Sequence, residues 1–134
     1  MNIKKRILWI VILVALGLLV RQPAHPCSAF VLAKDGRLLF GRNFDYFTGV
    51  GLITVNPRNV SKTALVYPGV TPARWTSKYG SVSFNQVGRD FPMGGMNEKG
   101  LVVECLWLPQ TQYPIPDARP AMTELQWIQC MLDT

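Results

Sequence analysis

An Asp35-Gly36 pair set between two short apolar runs is the feature that most limits how this chain folds. Residues 29–33 and 37–41 are rich in Val, Leu and Phe, and Lys34-Asp35-Gly36 joins them. Asp-Gly is a strong signal for a tight hairpin turn, because it accepts the backbone angles that paired, twisted strands require. The folded part therefore opens on an antiparallel β-hairpin. Both halves have the composition of strands in a buried sheet. The hairpin is followed by the cluster Arg42-Asn43-Phe44-Asp45, and a cysteine, Cys27, stands just ahead of it.

What precedes Cys27 has a different pattern. Lys4, Lys5 and Arg6 make a basic start, and residues 7–20 form an unbroken apolar run of fourteen, closed by Arg21. That length suits a signal-peptide core of about 7–15 residues and falls short of the ~20 of a spanning helix. Residues 1–26 are expected to be a signal peptide or signal anchor with a short pro-segment, and 27–134 the folded domain. Cleavage after Pro26 would release Cys27 directly, although proline is not the small residue such a site prefers. Cleavage after Ala24 would leave His25-Pro26 to be removed later. Pro23-Ala24-His25-Pro26 lacks a lipoprotein-site pattern, so no lipidation is expected. The location expected is exported, periplasmic or extracellular. The alternative is a chain held in the membrane by residues 7–20.

Composition narrows the function classes. Half of the net charge of +6 belongs to the export signal. The other basic residues are scattered, without the stripe of a nucleic-acid-binding surface. No nucleic-acid partner is expected, and membrane contact only through the export signal or a retained anchor. The cysteines are Cys27, Cys105 and Cys130, and an odd number leaves at least one unpaired. A Cys105–Cys130 bridge is arithmetically open, but both sit where buried thiols are common, and no disulfide is the favoured reading. No Cys/His spacing suggests a metal site; neither metal nor cofactor is expected.

Further strands are expected at 52–55 and 61–67, then a hairpin of 75–79 with 81–87. Residues 91–96 read as a tight, glycine-containing segment. Residues 101–108 read as a strand apolar on both faces, which belongs between two layers. Glu104 is its exception. A buried carboxylate needs a partner, which would be Arg42 or Arg89; a solvated sheet edge is the other reading. After a proline-rich loop, residues 121–132 carry apolar positions at Leu125, Ile128 and Leu132, the spacing of an amphipathic helix that packs on a sheet.

Cys27 on its own admits three readings: a small buried hydrophobe, half of a disulfide, or a nucleophile. The third has a simple chemistry if processing makes Cys27 the first residue. A free thiol has a pKa of about 8.5 and an α-amine about 7.7–8.0, so the proton can pass from sulfur to the residue's own nitrogen at little cost. An N-terminal amine is an established kind of base for such a nucleophile. A neighbouring guanidinium favours thiolate.

Cys27-Ser28-Ala29-Phe30-Val31, then Phe40-Gly41-Arg42-Asn43-Phe44-Asp45, then Gly95-Met96-Asn97-Glu98-Lys99-Gly100-Leu101 resemble, in order and spacing, the choloylglycine hydrolase family. This is the linear-amide C–N hydrolase branch of the N-terminal nucleophile (Ntn) hydrolases. It includes penicillin V acylases and bile salt hydrolases. The resemblance implies an α+β fold, the αββα Ntn sandwich of two antiparallel sheets, of which this chain would hold the amino-terminal portion. It implies an exported N-terminal-cysteine amidohydrolase that cleaves an N-acyl amide, a small molecule, through a thioester. Cys27 would be the nucleophile, Arg42 would stabilise its thiolate, and Asp45 would hold the α-amine. Asn43 and Asn97 read as turn and structural residues. The bile-salt enzymes place an oxyanion-hole asparagine where this chain has Trp107. Its one N–H donor makes it an oxyanion or substrate-pocket candidate, with a plain core role as the alternative. The family's later asparagine and arginine have no counterpart in these residues. Two other functions stay open: a truncated, inactive, membrane-anchored remnant or binding module, and an N-acyltransferase. A homo-oligomer is compatible with the resemblance for a full-length protein.

Overall fold

The computed structural model describes residues 3–19, 27–46, 49–88, 90–115 and 117–134. In chain order the elements are α1 (Ile3–Leu19), β1 (Ser28–Lys34), β2 (Arg37–Asn43), β3 (Leu52–Asn56), β4 (Ser61–Thr63), β5 (Arg74–Thr76), β6 (Ser81–Asn85), β7 (Pro92–Asn97), β8 (Val102–Glu104) and α2 (Glu124–Asp133). The expected cleavage sites and Arg89 lie outside the described residues. The basic start and most of the apolar run form α1. Among the described residues no helix is long and apolar enough to cross a membrane.

The opening hairpin forms as the sequence requires, but among the described residues its strands are not buried: all of β1 and the first part of β2 are exposed, because no other strand or helix packs on them. β1 pairs antiparallel with β2, from Ser28 opposite Asn43 to Lys34 opposite Arg37. At the tip Asp35 has φ 51° and Gly36 φ 72°. Positive φ at both central residues is what a type I′ hairpin turn demands.

β3, β6, β7 and β8 form an antiparallel sheet in the order β3-β6-β7-β8. β4 and β5 make a separate two-stranded ladder. The sequence pattern placed 75–79 in a hairpin with 81–87, and the structure corrects this. Ser77 is the reason. Its backbone N–H donates to Val60 O at 3.0 Å and its carbonyl accepts from Asn59 N at 2.7 Å. Its hydroxyl donates to Pro57 O and accepts from Val60 N, each at 2.9 Å. The segment after β5 is thus tied back to 57–60, and β6 is left to pair with β3 and β7. A second correction concerns 91–96, which is not a turn segment but most of β7, an inner strand. A third shortens the strand expected over 101–108 to β8. Cys105 N still donates to Met93 O at 2.9 Å. Beyond that point the partner strand begins with Pro92, which has no N–H to offer, and Leu106, Trp107 and Leu108 run exposed.

The two faces of the sheet differ. Ser81, Ser83 and Asn85 of β6 are buried, with Asn56 and Asn97 on the neighbouring strands. α2 packs on β7 and β8 and buries Ile128 and Leu132. A Cβ on Gly95 would stand 2.5 Å from Val82 O and 3.0 Å from Leu132 Cδ1, so glycine is what lets the helix lie this close. Asn97 locks the arrangement: its Nδ2 donates to Leu132 O at 3.0 Å, and its Oδ1 accepts from Lys99 N and Leu101 N, each at 3.0 Å. The other face carries Ile53, Val55, Val82, Phe84 and Met96, all exposed. Pairing of Ile53 with Phe84, Val55 with Val82 and Val82 with Met96 makes them one apolar patch. This is the surface that one layer of a sandwich offers another.

Thr123 caps α2, its hydroxyl accepting from Gln126 N at 3.3 Å. Losing such a cap typically costs about 1 kcal/mol. Thr123→Ala is accordingly expected to lower the urea midpoint by an amount equivalent to about 1 kcal/mol; an unchanged midpoint would show that tertiary contacts alone hold the helix.

Candidate active site

Strand geometry sets the site. Residues opposite one another in a ladder point to the same face, and Ala29 stands opposite Arg42. Continuing the two-residue period back from Ala29 puts Cys27 on the face that carries Arg42. The sequence therefore delivers the thiol and the guanidinium to one side of the hairpin. Cys27 is half-buried, as are Cys105 and Cys130, and all three are free thiols.

Arg42 reaches from β2 onto the four-stranded sheet. Its Nη1 donates to Met93 O at 3.1 Å and its Nη2 to Cys105 O at 2.6 Å. Its Nη1 also lies 2.5 Å from Oε2 of Glu104, and both side chains are 11% exposed. The N–H does not align with that oxygen, so the contact is one of charge rather than a directed hydrogen bond. The Phe44 ring covers the guanidinium, 4.3 Å from its carbon to the ring centroid, and Tyr46 stacks on Phe44 at 5.5 Å. The partner that Glu104 needed is thus Arg42. Burial pushes the Glu104 carboxyl above its ordinary range, and the positive charge of Arg42 draws it part of the way back.

Gly94 completes this corner. It stands opposite Glu104 in the β7–β8 ladder. A Cβ there would fall 1.9 Å from Glu104 Oε2, so the carboxylate lies flat over a strand with its side chain removed. Glu104 shares the open face with Phe84 and Met96 by register.

Asp45 lies just past β2. Its two carboxylate oxygens each accept from Asn43 Nδ2 at 3.2 Å. Asn43 is therefore the residue that orients Asp45, in keeping with a structural role. Among the described residues Arg42 and Asp45 form no ion pair with each other; Arg42 takes Glu104. Trp107 is 74% exposed, three residues beyond β8, so it is not a core residue of the described chain. Cys105 sits beside the pair. Burial is the main cause that raises its thiol pKa; Arg42 opposes this, while Cys27 and the carboxylates of Glu124 and Glu104 add to it. The two backbone acceptors on Arg42, and the vacancy at Gly94, escape a reading of side-chain types. Only the proline-glycine pattern of residues 92–95 could have hinted at them.

Among the described residues no group of three or more His, Cys, Asp or Glu is placed to hold a metal ion. The arrangement offers two thiols, Cys27 and Cys105, one guanidinium with its counter-ion, and, just past β2, one oriented carboxylate.

Comparison with known proteins bears on what these groups do. The profile of the linear amide C–N hydrolases, choloylglycine hydrolase family, matches residues 27–133. A penicillin V acylase from Pectobacterium atrosepticum is 42% identical over 66 residues, which is 44% of this chain and 18% of that protein. The structure of penicillin V acylase from Agrobacterium tumefaciens superposes with a TM-score of 0.67 at 34% identity, over 80% of this chain and 34% of that one. The chain spans about a third or less of the length of these relatives.

Proposed function

The chain belongs to the choloylglycine hydrolase family of linear amide C–N hydrolases, and from that premise we propose that it is an exported amidase whose nucleophile is an amino-terminal Cys27. The observation that carries this reading is the family match, which begins at Cys27 and includes Arg42 on the same face of the hairpin.

The proposed reaction runs in two stages. The Cys27 thiol gives its proton to its own α-amine, and the sulfur attacks the carbonyl carbon of an N-acyl amide. The C–N bond of the tetrahedral intermediate then breaks, and the ammonium returns the proton to the departing nitrogen. Water attacks the thioester, the amine takes a proton from it, and the C–S bond breaks to release a carboxylic acid and restore the thiol. Dividing one hard step into two is the gain of covalent catalysis. Arg42 supports the thiolate, Asp45 holds the α-amine, and Trp107 contributes either an N–H donor or a wall of the acyl pocket. Penicillin V is the first substrate to try, because the named relatives are penicillin V acylases. Action in the periplasm or outside the cell is part of this proposal, supported by the basic start and apolar run of residues 4–20.

The test is site-resolved mass spectrometry after exposure to p-nitrophenyl acetate, with sequencing of the mature amino terminus. Acyl label is expected on Cys27, lost in Cys27→Ser and kept in Cys105→Ser. Label that persists without Cys27 would end the proposal. Transfer of the acyl group to an added amine in preference to water would make the protein an acyltransferase instead.

A further inference from the structure

We infer that Glu104 is a positioning residue for the reaction: it holds Arg42, and through Arg42 it fixes the Cys27 hairpin against the four-stranded sheet. The inference rests on the proposed role of Cys27, and it goes beyond that role by naming a residue the chemistry does not touch.

Three observations carry it. First, among the described residues the β1–β2 hairpin shares no ladder with the sheet, and Arg42 is the side chain seen bridging the two, through Met93 O, Cys105 O and Glu104. Where the guanidinium sits therefore decides where the start of β1 sits. Second, the sheet is shaped for the carboxylate. Gly94 lies directly across the ladder from Glu104, and any side chain there would occupy the space that Oε2 fills. Third, the pair is a poor device for stability alone. Desolvating two charges offsets most of their attraction, and well-packed apolar residues often serve as well. A charged pair at this corner, 11% exposed on each side, is better explained by placement. The Nη groups are the ones engaged; Arg42 Nε is buried without a partner among the described residues.

The geometry explains why Glu104 and not the two carbonyls sets the position. The two carbonyls are neutral acceptors, whereas the Glu104 carboxylate supplies a full negative charge beside the guanidinium. Removing it leaves a cradle of two neutral carbonyls in which Arg42 can shift and carry the hairpin with it.

A double-mutant cycle on the full chain tests this, read as the rate of Cys27 acylation by p-nitrophenyl acetate, with circular dichroism as the check on folding. Glu104→Gln and Arg42→Met are each expected to slow acylation about tenfold. The double variant should be no slower than Arg42→Met alone, because a residue that acts through Arg42 has nothing left to act on. Losses that multiply in the double variant, or a wild-type rate in folded Glu104→Gln beside a slow Arg42→Met, would overturn the inference and leave the role of Cys27 intact. Label that does not depend on Cys27 at all would instead remove the reading beneath it. Should Glu104→Gln fail to fold, Gly94→Ala is the second variant. It keeps both charges and pushes the carboxylate aside, so a folded Gly94→Ala chain that acylates at the wild-type rate also overturns the inference.

Discussion

Asp133→Ala is expected to cost about 3–5 kcal/mol of stability, a large share of the ~5–15 kcal/mol that keeps a typical domain folded. Asp133 is the last residue of α2 and is fully buried. Its Oδ2 accepts from Lys62 Nζ and from Trp75 Nε1, each at 2.7 Å. Its Oδ1 accepts from Gln129 Nε2 at 2.9 Å. One carboxylate therefore joins β4, β5 and the helix. Truncation leaves the Lys62 ammonium, 14% exposed, with its buried counter-charge gone; it strips the indole N–H of its acceptor and leaves the Gln129 amide with Ser81 Oγ at 3.4 Å. Loss of one member of a buried pair is costly because the survivor keeps its desolvation penalty. The backbone bonds from Lys78 N and Tyr79 N to Asp133 O survive in alanine, so the change isolates the side chain. Urea unfolding followed by tryptophan fluorescence measures it. Asp133→Asn, which keeps an acceptor, should fall between the two. An Asp133→Ala midpoint within about 1 kcal/mol of wild type would show that Lys62 finds water instead. Exposed Asp117 and Arg119, paired with each other, should tolerate the same kind of change with no measurable shift.

The Asp133 network also shows where a sequence stops being readable. Local signals were enough for the first hairpin, since Asp35-Gly36 states its turn type in two residues. They were enough for α2 within three residues at its start, because the apolar spacing is helical and Thr123 is a good cap. Glu104 announced a need for an opposite charge, and the choice of Arg42 depended on a contact across more than sixty residues. β7 was not legible. Pro92, Gly94 and Gly95 look like turn chemistry, yet each glycine is there to admit something distant: the Glu104 carboxylate at Gly94, and α2 at Gly95. The facing of the sheet was illegible for a related reason. Alternation in Ser81–Asn85 shows two faces without saying which one is covered. The polar face turned out to be the one under the helix, satisfied in part by Asn56 Nδ2 donating to Ser83 Oγ at 3.0 Å and Asn85 Nδ2 to Thr54 Oγ1 at 2.7 Å. The apolar face is the one on which the Arg42–Glu104 corner sits. Of the site, the shared face of Cys27 and Arg42 was implicit in the hairpin register, whereas the cradle of main-chain carbonyls was not.

Under the proposed mechanism, a chain in which Pro26 stays joined to Cys27 is expected to hydrolyse its amide substrate about 10²–10⁴-fold more slowly than the processed chain, the usual contribution of a positioned proton-transfer group. Joining Pro26 turns the α-amine into an amide nitrogen. The sulfur remains, with Arg42 on the same face of the hairpin, but nothing on its own residue can take the proton or return it to the leaving group. Asp45, held by Asn43, would then face a neutral N–H instead of an ammonium. Substituting the nucleophile itself should cost more, on the order of 10⁶-fold where the groups act as a unit. Cys27→Ala in the processed chain sets that floor. The comparison needs amino-terminal sequencing of each preparation and a progress curve for amine release from penicillin V. Equal rates for processed and unprocessed chains, with both lost in Cys27→Ala, would mean that the base is some other group and that the amino-terminal role assigned to this cysteine is wrong. A processed chain that alone turns over, with Cys27→Ala inert, is the expected pattern. It would tie the activity to a single residue that supplies both the attacking atom and the carrier of its proton.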